Sequence, residues 1–470
     1  MKQEKKKIIT YWLLTILLYA FLLYRIQISL SPISAIRISV FSSLLLFGLE
    51  IKSICRLSKS IFTPCLIYLA LYYFFQNGLF LLLAIDENFS SNYLRKFSEY
   101  IVKATLFSSL SNVIAGYACI VIMLLSKKKK QLSKVDTYNP EVVANRAFCA
   151  FLLSGIVAMP LVLLKFNVAR VGGYHAVRAY EESIPFFLNF IEYFFVPFAI
   201  LTLLYNNKVR HMVLFVTIVW LLLTSYCGDR TVGLSGILIV SFITLLKNNS
   251  KGPSKKNIVF FSLIIIGLLV LVQGISIVRN QRDISAMGEE GPLMHFVSEL
   301  GFSSVSLLMM MDIVPQSENY LGGIGYLSSF ISGLVPANAD PTGIVSSIIE
   351  YRRISNGWIE DYYNFTFGLG FSLNAEAYIN FGWLGLFPLF GIHLIVFYFL
   401  NFSNSKRVPS LFDQYTSFVL LFLWCTLPRR DSYYLWKALV YSILFVKLYL
   451  HVFVGRRQKL CLKKQGHITL

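Results

Sequence analysis

Long apolar runs separated by short polar segments dominate the 470-residue chain. A helix needs about 20 predominantly apolar residues to cross the hydrocarbon core of a bilayer. Twelve runs are predicted to be membrane-spanning helices: 8–24, 33–51, 61–84, 101–125, 147–164, 186–205, 212–227, 232–246, 258–278, 376–400, 414–428 and 433–454. The runs that begin at 212, 232 and 414 are short and Arg37 lies in the second, so ten or eleven spans are the alternatives. The pattern predicts an all-α protein, a polytopic bundle of transmembrane helices.

Composition agrees with this pattern, because 56% of the residues are hydrophobic, only 14% are charged and the mean hydropathy is +0.63. These values exclude a water-soluble globular protein. The longest segment between two spans, 279–375, divides the chain into three parts. Residues 1–278 hold the first nine spans, 279–375 form one large extracytoplasmic loop, and 376–470 hold three more spans and a cytoplasmic tail.

The basic residues predict the orientation of the bundle, since short cytoplasmic loops are enriched in Lys and Arg. With both termini in the cytoplasm, 26 basic residues lie inside, 15 lie outside and 2 lie within the last span. The net charge of +19 is interpreted as anchoring against anionic lipid, and no nucleic-acid partner is expected. The seven cysteines are scattered without a CxxC motif, so neither a disulfide framework nor a metal site is expected.

The two faces differ in the kind of cation that they carry. The inside holds 20 Lys and 6 Arg, whereas the outside holds 12 Arg and only three lysines, Lys96, Lys103 and Lys165. A guanidinium group binds phosphate or carboxylate bidentately, and an ammonium group is a hydrated point charge. The outer face is therefore predicted to bind an oxyanion, although pairing of single arginines with lipid headgroups or outer acids is the alternative. The arginines assigned to substrate binding are Arg170, Arg178, Arg230, Arg279, Arg282, Arg352, Arg353, Arg429 and Arg430.

The tenth span begins with polar residues on one helical face. If Ser372 starts that helix, Ser372, Glu376 and Asn380 follow one another at intervals of four residues. A carboxylate facing lipid is costly, so Glu376 is predicted to face a wet cavity or a partner such as an outer arginine. Stabilisation at the start of the helix by the helix dipole is the alternative role. Asn380 and Tyr378 of the same helix are expected to contact substrate.

The large outer loop contains two apolar stretches, 296–314 and 324–336, which are predicted to lie along the membrane surface or to re-enter the membrane. The segment 356–371 then concentrates aromatic residues beside Glu360 and Asp361. Aromatic rings next to carboxylates suit sugars, and an aromatic belt at the membrane interface is the alternative. Candidate general bases on the outer side are Glu376, His295, Asp229 and His175, with Glu376 ranked first.

Four features together resemble the Wzy-type polymerases of O-antigen and capsular polysaccharide. They are "GLGFSLNAEAYINFGWLG" at the start of a late span, "GDRT" between two spans, "RNQRD" after the next span, and one large outer loop before the late helix. The resemblance implies a GT-C-like membrane glycosyltransferase of the bacterial cytoplasmic membrane. Its substrates are undecaprenyl-pyrophosphate-linked oligosaccharide repeat units, and a flippase and a chain-length regulator are the expected partners. In such a family Arg230, Arg279 and Arg282 are the arginines that correspond best to functional residues.

A diphosphate leaving group needs neutralisation of charge more than protonation, so fixed guanidinium groups suffice and neither a metal nor another cofactor is expected. The main rival class is a flippase for lipid-linked sugars or another polytopic transporter. Transporters usually show internal repeats, and none is evident in this chain. An O-antigen ligase is the nearer enzymatic alternative.

Overall fold

The computed structural model describes residues 2–60, 63–87, 89, 92–126, 138–228, 233, 236–237, 240, 243, 259, 263, 267, 292–335, 347, 359, 362–363, 370–401 and 410–454. All regular secondary structure in these ranges is helical. The α-helices of this part of the chain are α1 (Lys2–Ser29), α2 (Pro32–Ser58), α3 (Pro64–Ile85), α4 (Asn92–Lys96), α5 (Ile101–Ser126), α6 (Pro140–Ser183), α7 (Phe186–Tyr193), α8 (Phe195–Tyr205), α9 (Arg210–Cys227), α10 (Pro292–Gly301), α11 (Val305–Ile313), α12 (Ile324–Leu334), α13 (Leu373–Phe381), α14 (Leu386–Leu400), α15 (Leu411–Trp424), α16 (Tyr433–Lys437) and α17 (Val446–Phe453). A π-helix, Ala438–Phe445, joins α16 to α17.

Ten helical segments of the described residues are long and apolar enough to cross a membrane. Nine of them coincide with predicted spans, and several begin where proline follows a polar residue, as at Pro32, Pro64 and Pro140. Proline at the first helical position is favourable because its missing N–H would have no partner there. The fold class predicted from the sequence is therefore confirmed.

The predicted and observed assignments differ at two places, and two further predicted spans are not tested. The predicted runs 232–246 and 258–278 lie almost wholly outside the described residues. The run 414–428 corresponds to α15, a helix of only 14 residues. The segment Phe296–Ile313, which matches no predicted span, was assigned to the outer loop by the sequence and has the length and composition of a span.

The segment Phe296–Ile313 is largely buried inside the bundle. All residues of α11 except Asp312 are buried, and α10 packs so closely on α3 that a Cβ on Gly78 would come within 2.8 Å of Gly301 Cα. Close approach of helix backbones through small residues is typical of packing in membranes. A helix lying on the membrane surface keeps one face in water, so this burial favours the alternative in which the segment enters the membrane domain.

Helix α12 is amphipathic, with a polar face buried in the protein and an apolar face exposed, as suits a lipid environment. Its buried face consists of small and hydroxylated residues: Gly325, Ser328, Ser329, Ser332 and Gly333. Its exposed face is apolar and includes Leu327 and Phe330. The polar face turns inward against α13 and α16. Ser329 consequently lies next to Glu376 in the first turn of α13.

Candidate functional site

The start of α13 is where the predicted polar stripe enters the protein. Ser372 caps the helix by accepting a hydrogen bond from Ala375 N at 3.1 Å, and it also lies 3.2 Å from Ser306 Oγ of α11. Ser372, Glu376 and Asn380 are each 0% exposed. The stripe faces protein as predicted, but all three side chains are enclosed by neighbouring helices, which is a different environment from a wet cavity.

Glu376 joins three helices through its carboxylate. Oε2 accepts a hydrogen bond from Ser432 N at 2.8 Å, and Oε1 accepts from Ser432 Oγ at 2.7 Å and from Ser329 Oγ at 3.1 Å. Ser432 is the residue immediately before α16, so the carboxylate of α13 caps the start of the last span. A side-chain acceptor at a helix N-terminus is favourable because the N–H groups there have no partner within the helix. The sequence predicted a wet cavity or a partner such as an outer arginine, and in the structure the partners are two serines.

Asn380 ties the turn before α12 to α13. Its amide Nδ2 donates to Glu376 O at 2.8 Å, and its Oδ1 accepts from Gly325 N at 3.1 Å. Two backbone hydrogen bonds, Leu321 N to Ile379 O and Gly322 N to Asn380 O, reinforce this contact at 3.0 Å each. Asn380 therefore holds the backbone in place, and its contact with substrate stays a prediction.

The segment 428–432, which we name the arginine turn, carries Arg429 and Arg430 and is fixed by surrounding helices. Gln76 Nε2 of α3 donates to Pro428 O at 2.6 Å, and Phe371 N donates to Arg429 O at 3.3 Å. At the other end, the two hydrogen bonds to Glu376 hold Ser432. The backbone of the turn is thus bound at both ends and in the middle.

The two arginine side chains of this turn are half-buried. The Arg430 guanidinium lies 4.2 Å from the centre of the Tyr434 ring, and Arg429 Nε lies against Gly370. Gly370 has φ of 73°, and a Cβ there would stand 3.2 Å from Arg429 Nε. The left-handed backbone therefore favours glycine at position 370, and a Cβ there would displace the Arg429 side chain by a few tenths of an ångström.

A buried polar network behind α13 was not predicted from the sequence. Tyr72 OH donates to Asn374 Oδ1 at 2.7 Å, and Asn374 Nδ2 donates to Ser111 Oγ at 2.9 Å. Tyr72 and Gln76 lie one turn apart on α3, so one face of α3 holds both α13 and the arginine turn. The amide side chains within apolar spans could have indicated this network from the sequence, since an unpaired amide in a membrane is costly and implies a partner.

The other predicted site residues are distributed differently. Tyr378 is buried on α13, and Arg170 is exposed near the end of the membrane-spanning part of α6. The side chains of Arg178, His175 and His295 lie outside the described part of the structure, although their backbones are helical. Asp229, Arg230, Arg279, Arg282, Arg352 and Arg353 also lie outside the described residues.

An ion network ties α6 to the helix that follows it. Lys165 Nζ lies 3.0 Å from Glu192 Oε2 of α7 and 3.2 Å from Glu181 Oε1 of α6 itself. The return of α6 toward its own Lys165 is possible because the helix bends at Gly173, whose φ is 68°. Glu192, an acid that the sequence places within an apolar span, thus has a charged partner.

The fold and the site define a polytopic helical membrane protein whose last span begins at a fixed pair of arginines. A family model for the O-antigen polysaccharide polymerase Wzy matches residues 7–464, and the chain belongs to this family. No curated protein and no solved structure matches the chain. The family match confirms the resemblance seen in the sequence: this multi-pass membrane enzyme, of the glycosyltransferase type, polymerises lipid-linked oligosaccharide repeat units of O-antigen. The match does not favour the transporter alternative.

Proposed function

We propose that the arginine turn binds the diphosphate of an undecaprenyl-pyrophosphate-linked repeat unit at the outer face of the bacterial cytoplasmic membrane. The observation that carries this proposal is the fixation of residues 428–432 by Gln76, Phe371 and Glu376. Donors that are held in place before substrate arrives cost little reorganisation during the reaction. The positive-inside pattern supports a position of the start of the last span on the outer side, where lipid-linked units would be joined.

The proposed reaction moves the growing chain onto a newly delivered repeat unit. A hydroxyl oxygen of the new unit attacks the anomeric carbon of the growing chain, and the bond from that carbon to the phosphate oxygen breaks. The diphosphate leaves with the bonding electron pair and gains negative charge. Each well-placed guanidinium donor stabilises that charge by about 2 to 4 kcal/mol. The proposal therefore includes a reaction that needs no metal.

Glu376 is proposed to position the arginine turn. Both of its carboxylate oxygens accept hydrogen bonds, so the proton of an attacking hydroxyl would have to displace a serine before the carboxylate could act as a base. His295 and Asp229 remain the proposed general bases, and a base of this kind accelerates proton transfer by about 10²- to 10⁴-fold. A flippase that delivers repeat units and a regulator of chain length complete the proposed partners.

The test compares arginines on the outer side of the same membrane protein. Arg429→Ala and Arg430→Ala are expected to leave single repeat units in a strain whose own gene is deleted, while Arg25→Ala, which changes an exposed arginine at the outer end of α1, keeps long polymer. Polymer length is measured by gel electrophoresis of the extracted polysaccharide, and immunoblotting of membranes establishes equal protein amounts. Arg429→Lys separates bidentate binding from charge alone, because it keeps the charge and loses the planar fork. Full-length polymer from both alanine variants would show that the turn does not bind substrate.

A further inference from the structure

Apart from the arginine turn, the structure holds a group of phenols and one carboxylate, which we name the tyrosine surface: Tyr100, Asp312, Tyr320, Tyr362, Tyr363 and Tyr378. Tyr362 is 44% exposed and Tyr320 is 41% exposed, so both rings are accessible from outside the protein. The surface includes the part of the aromatic segment 356–371 that the structure describes. Its role is not accounted for by the binding of a diphosphate.

The first half of the surface is centred on Asp312 at the end of α11. Tyr363 OH donates to Asp312 Oδ2 at 2.7 Å, and the Tyr363 ring packs edge-on against Phe97 with 5.4 Å between ring centres. Lys96 Nζ lies 4.7 Å from the centre of the same ring. Burial and then the adjacent Asp312 carboxylate raise the pKa of the Tyr363 phenol, so this hydroxyl remains a donor. Tyr362 stands next to this group with its ring 5.1 Å away.

The second half lies on α13 and on the turn before α12. Lys103 Nζ lies 5.3 Å from the centre of the Tyr378 ring, and the Tyr320 and Tyr378 rings are 6.1 Å apart. Gly382, with φ of 57°, makes room for Tyr320, since a Cβ there would come within 2.9 Å of Tyr320 OH. Tyr378 and Glu376 lie on the same helix, α13, and Glu376 holds Ser432 of the arginine turn.

Tyr100 interacts electrostatically with both the Asp312 carboxylate and the Tyr378 phenol. The two halves together present flat rings, hydroxyl groups and the Asp312 carboxylate, which is only partly buried. The nonpolar C–H face of a pyranose packs on an aromatic ring, and sugar hydroxyls donate to a carboxylate. An interfacial belt needs rings directed outward to lipid, whereas Tyr363 and Tyr378 lie against lysines and turn inward.

We infer that the tyrosine surface binds sugar rings of the oligosaccharide repeat unit, while the arginine turn binds its diphosphate. This inference rests on the proposed function for its place in the reaction. The two sites differ in chemistry, so they can be tested with two different ligands. One is undecaprenyl diphosphate without sugar, and the other is the lipid-free oligosaccharide released by mild acid from the cell's own lipid-linked repeat units.

The experiment measures the affinity of the purified full-length protein in nanodiscs for each ligand. Asp312→Asn keeps an acceptor for Tyr363 and is expected to weaken oligosaccharide binding about tenfold, because the hydrogen bonds of sugar hydroxyls to a charged group are lost. Tyr320→Ala and Tyr362→Ala are expected to weaken it about threefold or more each. All three variants should bind undecaprenyl diphosphate within about twofold of the wild type, whereas Arg429→Ala should weaken only that ligand.

Tyr24→Ala is the matched control, because Tyr24 is a 60% exposed tyrosine near the outer end of α1. It should leave both affinities unchanged. The inference is overturned if the three variants of the tyrosine surface bind oligosaccharide like the wild type, or if they lose both ligands together. A lower unfolding temperature with unchanged oligosaccharide binding would identify the rings as an interfacial anchor only. Failure of Arg429→Ala to weaken diphosphate binding would instead refute the proposed function.

Discussion

Replacing Glu376 by alanine tests whether one carboxylate holds α12, α13 and α16 together. The substitution removes three hydrogen bonds, two from Ser432 and one from Ser329. Hydrogen bonds between helices in membranes contribute about 0.6 to 2 kcal/mol each, so the expected loss is about 2 to 6 kcal/mol. The arginine turn is released at its Ser432 end, and long polymer should be lost even where the protein still inserts.

The measurements are thermal unfolding of the purified protein in detergent and the length distribution of polymer made in cells. Ser329→Ala removes only one of the three hydrogen bonds, so it should cost about 0.6 to 2 kcal/mol and keep long polymer. Glu87→Ala is the control, because Glu87 is an exposed glutamate that pairs with Arg37 at 3.3 Å. An exposed pair of this kind contributes about 0 to 1 kcal/mol. If Glu376→Ala unfolded like the Glu87 variant and still gave full-length polymer, the role of the carboxylate in fixing the turn would be refuted.

Three further substitutions test other contacts of the bundle. Gly370→Ala should destabilise the protein by about 1 to 2 kcal/mol through its left-handed backbone and shorten the polymer by displacing Arg429; normal polymer length on gels would contradict this. Gly116→Ala should lower the unfolding temperature, because the new Cβ would overlap the Glu50 carboxylate. Adding Glu50→Ala should restore part of the lost unfolding temperature, whereas additive losses from the two substitutions would refute the contact. Lys165→Met should cost about 3 to 5 kcal/mol in chemical unfolding, because two carboxylates lose their cation, and a cost below about 1 kcal/mol would refute the importance of the network.

The positions of most membrane helices could be predicted because a span is a local property of the sequence. About 20 apolar residues bounded by charge or proline are enough to identify Pro64–Ile85 or Arg210–Cys227. The location of Phe296–Ile313 could not be predicted in the same way. Its apolar face suits a membrane surface as well as a bundle, and its burial depends on the glycine contact with α3.

The sequence also identified Glu376 as an unusual residue without identifying its partners. The cost of a carboxylate within a span implies that a partner exists, but the type and position of that partner depend on tertiary structure. Ser432 lies 56 positions away and Ser329 lies 47 positions away, and neither belongs to a motif. The same holds for Gln76, whose contact with Pro428 O spans 352 positions. Contacts of this range between common polar residues leave no local pattern in one sequence.

The separation of lysine from arginine on the outer face has a structural explanation for its lysine half. Lys96 lies over Tyr363, Lys103 lies over Tyr378, and Lys165 lies between two glutamates. An ammonium group is compact, and its long flexible side chain lets it contact a ring or a carboxylate in several orientations, so these three cations contribute to packing. The planar guanidinium groups of the arginine turn have a fixed backbone beneath them and half-buried side chains. In the described part of the chain, these three lysines thus contact aromatic rings or glutamates, whereas the arginine turn carries planar guanidinium groups on a backbone that is held in place.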